Sequence, residues 1–370
     1  MSDDRVGALR EAALERILVI DGAMGTEVQS RGLTEVDFRT GDLDAHEGQL
    51  AGNNDLLSLT RPDVVADIHR SYLDAGADII CTNTFSSTSV AQAEYGLAHL
   101  VRDLNLESAR IARRVADEAT TDGRPRFVAG AIGPTNVTLS MSPRVEDPGY
   151  RALDFDALTA AYSEQILSLI DGGVDLLLIE TVFDTLNAKA AIVAARRALA
   201  GRVNAPGLMI SGTITDRSGR TLSGQTARAF WQSVRHGEPV SIGLNCALGG
   251  ADMRPHIADL AAVADTLICA YPNAGLPNAL GGYDESPEET AGVLGEFAGS
   301  GLVNIVGGCC GTTPAHIASI AAAVKNETPR EIPERRRHLT LSGLEPLELT
   351  DEIPFVNIGC LLYTSDAADE

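Results

Sequence analysis

The sequence lacks both a long apolar run and an apolar leader. One long uncharged stretch, residues 127–143, is interrupted by glycine, proline, asparagine and serine, so it is not a membrane-spanning helix. The first ten residues carry charges where a signal peptide has its apolar core. We therefore expect a cytoplasmic protein in a reducing compartment, where its six cysteines point to metal binding or catalysis before disulfides.

Basic residues are also scarce. The 370 residues include 29 Lys and Arg against 51 Asp and Glu, which gives a formal net charge of −22, and only Lys189 and Lys325 are lysines. A chain this acidic repels a phosphate backbone and an anionic bilayer. We therefore expect neither nucleic acid nor a membrane as a partner. The remaining composition, 44% apolar and 22% charged, is typical of a globular protein.

Short apolar runs alternate with longer, alanine-rich amphipathic segments. The runs are typical of parallel strands buried on both faces and lie at 17–22, 77–82, 127–133, 175–181, 207–214, 240–246, 266–273 and 303–308. The predicted helices lie at 63–75, 90–118, 155–171, 185–199, 227–235, 251–264, 287–298 and 314–324. This alternation predicts an α/β fold, a (β/α)8 TIM barrel, with a doubly wound open sheet as the alternative.

Two features favour the barrel over the open sheet. No Gly-x-Gly-x-x-Gly sequence follows the first run, and polar residues end nearly all the runs instead of clustering at one switch point. Glycine-containing turns at 74–77, 171–174 and 299–301 predict left-handed helix C-caps before the next strands. The long segment 134–153, rich in proline, serine and asparagine, is predicted to fold over the barrel mouth.

Three cysteines carry the strongest chemical signal. Cys309 and Cys310 stand between glycines at the end of the eighth run, and Cys246 ends the sixth. Parallel barrel strands open at one mouth, so the three thiols can converge where glycine lets the backbone bend. Three thiolates would bind zinc with a fourth position free for substrate, although a redox pair of adjacent cysteines is an alternative. Cys81 and Cys269 are interpreted as packing residues.

Other polar groups are predicted at the same mouth. Asp21 ends the first run and could bind the ammonium of an amino acid, whose carboxylate would meet the backbone N–H groups of the small residues that follow. Those small residues are Gly22, Ala23 and Met24. Polar residues also stand at the ends of other runs, namely Thr82, Asn83, Glu180, Asn245 and Asn273. Each residue alone is compatible with an ordinary capped strand end, and their shared position favours a site.

Four motifs in order give the chain a family resemblance. They are Asp-Gly-Ala-Met-Gly-Thr at 21–26, Thr-Asn-Thr-Phe at 82–85, Gly-Leu-Asn-Cys at 243–246 and Gly-Gly-Cys-Cys-Gly at 307–311. With them, residues 16–324 resemble the homocysteine methyltransferase family. The resemblance implies a (β/α)8 barrel whose zinc, held by Cys246, Cys309 and Cys310, binds the homocysteine sulfur. It also implies a substrate pocket that includes Asp21, Glu180, Asn245, Thr82, Asn83 and Asn273.

Within that family, the chain most resembles the N-terminal homocysteine-binding module of cobalamin-dependent methionine synthase. The resemblance lies in the connector Leu-Ser-Gly-Leu-Glu-Pro at 341–346 and in Phe-Val-Asn-Ile-Gly at 355–359. It implies methylcobalamin as the methyl donor, with folate and cobalamin modules downstream. We predict the zinc barrel at 1–325, a linker at 326–354, and the truncated start of a second, pterin-binding-like domain at 355–370, whose last eleven residues depart from the family pattern.

Two other functions stay open at this point. The first is a stand-alone homocysteine S-methyltransferase that uses betaine or S-methylmethionine directly. The second is a non-catalytic zinc or thiol-storage barrel that acts as an interaction module, in which the polar strand ends would have no role.

Overall fold

The computed structural model describes residues 4–121, 123–215, 218–278, 281–334, 338–353 and 356. Eight parallel strands form one curved sheet: β1 (Leu18–Val19), β2 (Ile79–Cys81), β3 (Phe127–Ile132), β4 (Leu176–Val182), β5 (Gly207–Gly212), β6 (Ser241–Gly249), β7 (Leu267–Asn273) and β8 (Ile305–Val306). β1 pairs with β8, and the other neighbours follow chain order. A parallel bridge between Ile20 and Ile79 joins β1 to β2, so the end strands meet. Each predicted run overlaps one strand, and the predicted (β/α)8 barrel is confirmed.

Helices surround the sheet. They are α1 (Arg5–Glu15), α2 (Met24–Ser30), α3 (Leu57–Thr60), α4 (Pro62–Asp74), α5 (Ser89–Gln92), α6 (Val101–Ala119), α7 (Phe155–Asp171), α8 (Thr185–Leu199), α9 (Ala227–Val234), α10 (Gly250–Ala261), α11 (Pro287–Gly299) and α12 (Pro314–Val324). Short 3-10 turns lie at Glu35–Phe38, Gly41–Ala45, Asn54–Leu56, Ala93–Tyr95, Ala98–Leu100 and Arg235–Gly237. Over the described ranges, no helix combines the length and the apolar character needed to cross a bilayer.

Glycine defines several helix ends. Gly76, Gly173 and Gly301 follow α4, α7 and α11 with φ values of 110°, 91° and 65°, so the predicted left-handed turns are confirmed. The single helix predicted at 90–118 is wrong, because Gly96 adopts a φ of 68° and separates α5 from α6. Helix α1 was not predicted from the sequence, and its Leu9 and Ala13 are buried in the hydrophobic cluster of the barrel interior.

Side-chain alternation divides the barrel interior from the helix layer. On β4, Leu176 and Leu178 belong to the interior cluster, whereas Leu177 and Ile179 pack in the outer core with the helices. Successive strand residues point to opposite faces, so Glu180 takes the next inward position. The Glu180 side chain is therefore directed into the mouth of the barrel.

Buried ion pairs lie near the starts of the strands, away from the mouth. The carboxylate of Asp78 has a fully buried side chain and receives hydrogen bonds from Arg16 (2.7 Å), Arg124 (2.9 Å) and Arg126 (3.2 Å). The backbone N–H of Val19 donates to the same carboxylate at 3.0 Å. Asp78 therefore ties β1 to the segment that enters β3.

The predicted linker, 326–354, contains a two-stranded antiparallel hairpin. β9 (Leu339–Ser342) pairs with β10 (Pro346–Leu349), and the Ser342 hydroxyl donates to the Ala229 carbonyl of α9 at 2.7 Å. The carbonyl of Leu344, in the turn, accepts from the Thr226 N–H at 3.1 Å. The segment is thus partly ordered against α9, while the predicted second-domain start, apart from residue 356, lies outside the described residues.

Replacing Asp78 tests the role of the buried ion pairs. We expect Asp78→Asn to lower the free energy of unfolding by about 3 kcal/mol or more, because it leaves buried arginine charge without its partner. Asp63→Asn, which removes an exposed partner of Arg61, is the matched control and should cost less than about 1 kcal/mol. Urea unfolding of both variants measures the difference, and equal losses would contradict this role for Asp78.

Candidate active site

A cavity of about 630 Å³ opens at the C-terminal ends of the strands. Its wall includes the three predicted cysteine ligands and four carboxylates, from Asp21, Asp55, Glu94 and Glu180. Among the described residues that line it, none is lysine, arginine or histidine. The cavity therefore attracts cationic groups, and side chains of the wall offer no countercharge to an anion.

Three thiols converge on one side of this cavity. The sulfur atoms of Cys246, Cys309 and Cys310 all lie within 4.8 Å of one another, and those of Cys246 and Cys310 are 3.9 Å apart. Adjacent side chains on a regular strand point to opposite faces, so the backbone must depart from strand geometry to bring them together. Cys246 has a φ of 60°, and Gly311, next to Cys310, has a φ of 82°.

Two buried asparagines form hydrogen bonds with the cysteine segments. The Asn273 carboxamide oxygen accepts from the Cys310 N–H at 3.1 Å, and the Asn245 amide donates to the Cys309 sulfur at 3.8 Å. The Asn245 oxygen also accepts from the Thr181 N–H at 3.0 Å. Both asparagines were predicted in the substrate pocket; their side chains are buried, are not among the residues that line this cavity, and hydrogen-bond the cysteine segments.

The thiol cluster has the chemistry of a soft-metal site. Contacts with Cys246 and Cys309 lower the pKa of the Cys310 thiol, and the same cluster raises the pKa of Cys309 well above its ordinary value. The cluster thus stabilises a thiolate at Cys310 and disfavours a second thiolate at Cys309, because thiolates in contact repel one another. A bound divalent cation removes that repulsion, so the three sulfurs fit a thiolate-preferring metal.

Two buried carboxyl groups, those of Asp21 and Glu180, line the same cavity as the thiols. Asp21 is 5% exposed and accepts from the Cys81 N–H at 2.9 Å, and burial raises its pKa to about 7. Desolvation raises the pKa of Glu180 to about 8, and the nearby Asp21 charge adds to this shift. The Tyr271 hydroxyl donates to Glu180 at 3.3 Å. These acids carry a desolvation cost that an ammonium group would offset.

The remaining predicted residues also line the cavity, but several already have partners. Gly22, Ala23 and Met24 follow Asp21, and the Ala23 N–H donates to the Thr312 hydroxyl at 3.3 Å. That N–H is therefore engaged by a side chain of the barrel.

The polar side chains that follow β2 also have hydrogen-bond partners within the protein. The Thr82 and Thr84 hydroxyls are 2.6 Å apart, and the Asn83 amide donates to the Asn54 carbonyl at 2.8 Å. The side chains of Thr82 and Asn83 thus shape the loop beside the cavity. Segment 134–153 contributes Pro134 and Asn136 to the cavity wall, as expected for a loop at the mouth.

Several residues of the cavity wall were not predicted from the sequence. Tyr271 lies two positions beyond the buried Cys269 and could have been found from strand alternation. Cys81, interpreted as a packing residue, lines the cavity beside Asp21, whereas Cys269 is buried as predicted. Thr181, with a φ of 56°, and Tyr283 had no signal in the sequence pattern, because a turn and a distant loop bring them to the site.

The raised pKa of Asp21 predicts a pH-dependent stability. In the metal-free, ligand-free protein the folded carboxyl keeps its proton up to about pH 7, while the unfolded chain releases it near pH 4. The free energy of unfolding therefore falls as pH rises through this window, by at most about 1.4 kcal/mol per pH unit for this group. Asp21→Asn removes the effect, so its stability relative to wild type should increase from pH 4 to 7.

Urea unfolding at a series of pH values measures this difference. Asp63→Asn is the control, because the pKa of Asp63 is lowered by its hydrogen bond with Arg61 and the carboxyl is ionised in both states above pH 5. Its difference from wild type should stay constant from pH 5 to 7. A constant difference for Asp21→Asn over the same range would contradict the prediction.

Comparison with known proteins supplies the family. The homocysteine S-methyltransferase family model matches residues 18–324. The oxidized form of the homocysteine methyltransferase MmuM from Escherichia coli is similar in structure, with a TM-score of 0.64 and 23% identity over 83% of this chain and 95% of that chain. Its metallated form gives a TM-score of 0.63 and 23% identity over 87% and 99%. These structures agree in fold, and the family model spans the barrel, so the chain belongs to the homocysteine S-methyltransferase family.

Proposed function

We propose that this chain is the homocysteine-binding half-site of a zinc-dependent methyl transfer that gives methionine. The observation that carries the proposal is one cavity that holds three convergent thiols and two buried carboxylates. The thiols of Cys246, Cys309 and Cys310 would hold the zinc ion. When bound, zinc stabilises the homocysteine sulfur as a thiolate at neutral pH.

The carboxylates would bind the other end of the substrate. Asp21 and Glu180 face a cavity whose described wall contains no basic side chain, so an ammonium group is the cation that they can bind there. Its approach stabilises their ionised forms and reverses the rise in pKa that burial causes. The Tyr271 hydroxyl holds Glu180 in place through its hydrogen bond. The negative charge of the wall is therefore complementary to the ammonium group of the substrate.

The reaction then needs a methyl donor. The homocysteine thiolate forms a bond to the methyl carbon, and the donor keeps the electron pair of the bond that breaks. We propose methylcobalamin as this donor, presented by folate and cobalamin modules downstream, as in cobalamin-dependent methionine synthase. The support is the connector sequence at 341–346, which joins the two strands of the hairpin on α9.

A second candidate is a stand-alone enzyme that uses S-methylmethionine or betaine. The cavity volume of about 630 Å³ favours this possibility, since pockets of about 300–1,000 Å³ hold ligands much larger than a small amino acid. A small donor could therefore bind beside homocysteine. Both candidates need reduced thiols, which supports the cytoplasm as the compartment.

Removing zinc tests the central step of the proposal. We expect chelation to abolish homocysteine binding in isothermal titration calorimetry, and added zinc to restore it, because the sulfur loses its partner. Retained binding in the metal-free protein would overturn the mechanism. A zinc X-ray absorption edge that does not respond to homocysteine would instead favour the non-catalytic barrel.

Replacing one thiol tests the ligand set. Cys246→Ser should lose stoichiometric zinc and weaken homocysteine binding by more than the roughly 100-fold loss typical of residues that only orient a ligand. Cys269→Ala is the matched control, because Cys269 is buried in the barrel interior outside the cluster, and it should keep one zinc per chain. Metal analysis and calorimetry provide the readouts, and full zinc content in Cys246→Ser would exclude that ligand.

An assay with three donors separates the two candidates. The zinc-loaded chain is incubated with homocysteine and either methylcobalamin, S-methylmethionine or betaine, and methionine is measured. Turnover with methylcobalamin alone supports the half-site. Turnover with S-methylmethionine or betaine supports the stand-alone enzyme and contradicts the proposed donor.

A further inference from the structure

Tyr283, on the loop that follows β7, lies beside the turn that carries Cys309 and Cys310. It lines the cavity together with Cys309 and Cys310, and its side chain packs on the backbone beside them. A Cβ atom at Gly311 would lie 2.3 Å from the Cβ and 2.4 Å from the Cγ of Tyr283, which excludes any larger residue at 311 in this arrangement. The side chain of Tyr283 therefore lies against the turn that carries Cys310.

The loop that carries Tyr283 is anchored to the segment that carries the cysteines. The Ala274 N–H donates to the Cys310 carbonyl at 2.9 Å, and the Glu285 N–H donates to the Ala274 carbonyl at 3.4 Å. The Glu285 carbonyl lies 3.0 Å from Nε2 of His316, in the first turn of α12. Tyr283 is thus held between β7 and the helix that follows the cysteine pair, and its position against Gly311, next to Cys310, is set by the fold.

The three sulfurs have different surroundings. The Cys309 sulfur accepts a hydrogen bond from the Asn245 amide at 3.8 Å. The Cys310 sulfur lies 3.9 Å from that of Cys246, and the Tyr283 side chain packs against the neighbouring Gly311. Three thiolates around a divalent ion leave one excess negative charge, and a hydroxyl donor at a ligand sulfur offsets part of it. Groups that hydrogen-bond metal ligands orient them and tune metal affinity.

We propose that Tyr283 is a positioning residue of the metal centre, whose hydroxyl donates a hydrogen bond to the Cys310 sulfur while its ring holds the 309–311 turn. It acts on the metal through Cys310. The inference rests on the proposed function, because it requires that the three thiols bind a metal. It adds a residue from outside the four motifs that carry the family resemblance.

Tyr283→Phe tests this role, because it removes the hydroxyl and keeps the ring. We expect the variant to bind zinc about tenfold more weakly in competition with a chromogenic chelator. Loaded anaerobically with Co²⁺, it should also show a shifted thiolate-to-cobalt absorption band, since the charge on the Cys310 sulfur changes. A purely structural role would leave that band in place.

Tyr95→Phe is the matched control, because Tyr95 lines the same cavity but lies in the 3-10 turn Ala93–Tyr95, which carries none of the three cysteines. It should match wild type in zinc affinity and in the cobalt spectrum. Thermal unfolding of the metal-free variants verifies that both fold. Wild-type zinc affinity together with an unshifted cobalt band in Tyr283→Phe would overturn the inference. Failure of the wild-type chain to bind zinc through its three thiols would instead overturn the proposed function.

Discussion

The close approach of three thiols is the constraint on which the mouth of the barrel depends. Sulfur atoms within 4.8 Å of one another cannot come from regular strand ends, because the two adjacent cysteines would point to opposite faces. The backbone therefore adopts left-handed conformations at Cys246, Ala247 and Gly311. For non-glycine residues such conformations cost about 1–3 kcal/mol each, and the surrounding barrel must hold them in place.

Charge is distributed unequally between the two ends of the barrel. Near the strand starts, the buried carboxylate of Asp78 is matched by three arginines and contributes to stability. At the mouth, Asp21 and Glu180 have no basic side chain in the described cavity wall. Their raised pKa values record the cost of this arrangement. Because Asp21 and Glu180 lack a basic partner in the described wall, a cationic ligand would gain favourable interactions with them. Asp78, which is paired with arginines, instead holds strands together.

Much of this architecture was predictable because it follows local periodicity. The apolar runs gave the eight strands, and glycine before Ala77, Val174 and Leu302 marked the helix ends. The helix at 90–118 was predicted wrongly because one glycine, Gly96, interrupts an otherwise amphipathic pattern. The hairpin at 339–349 had too weak a pattern to predict, since its order depends on hydrogen bonds to α9 and to the preceding loop.

By itself, the sequence determined the barrel and the set of residues that gather at its mouth, because parallel strands of one barrel all end on the same side. Only the tertiary structure decided what each of these residues does there. Buried Asn245 and Asn273 hydrogen-bond the cysteine segments, and the Ala23 N–H donates to the Thr312 hydroxyl. Tyr283 reaches the cluster from another loop. Such roles depend on distances between segments far apart in the chain, which local periodicity does not encode.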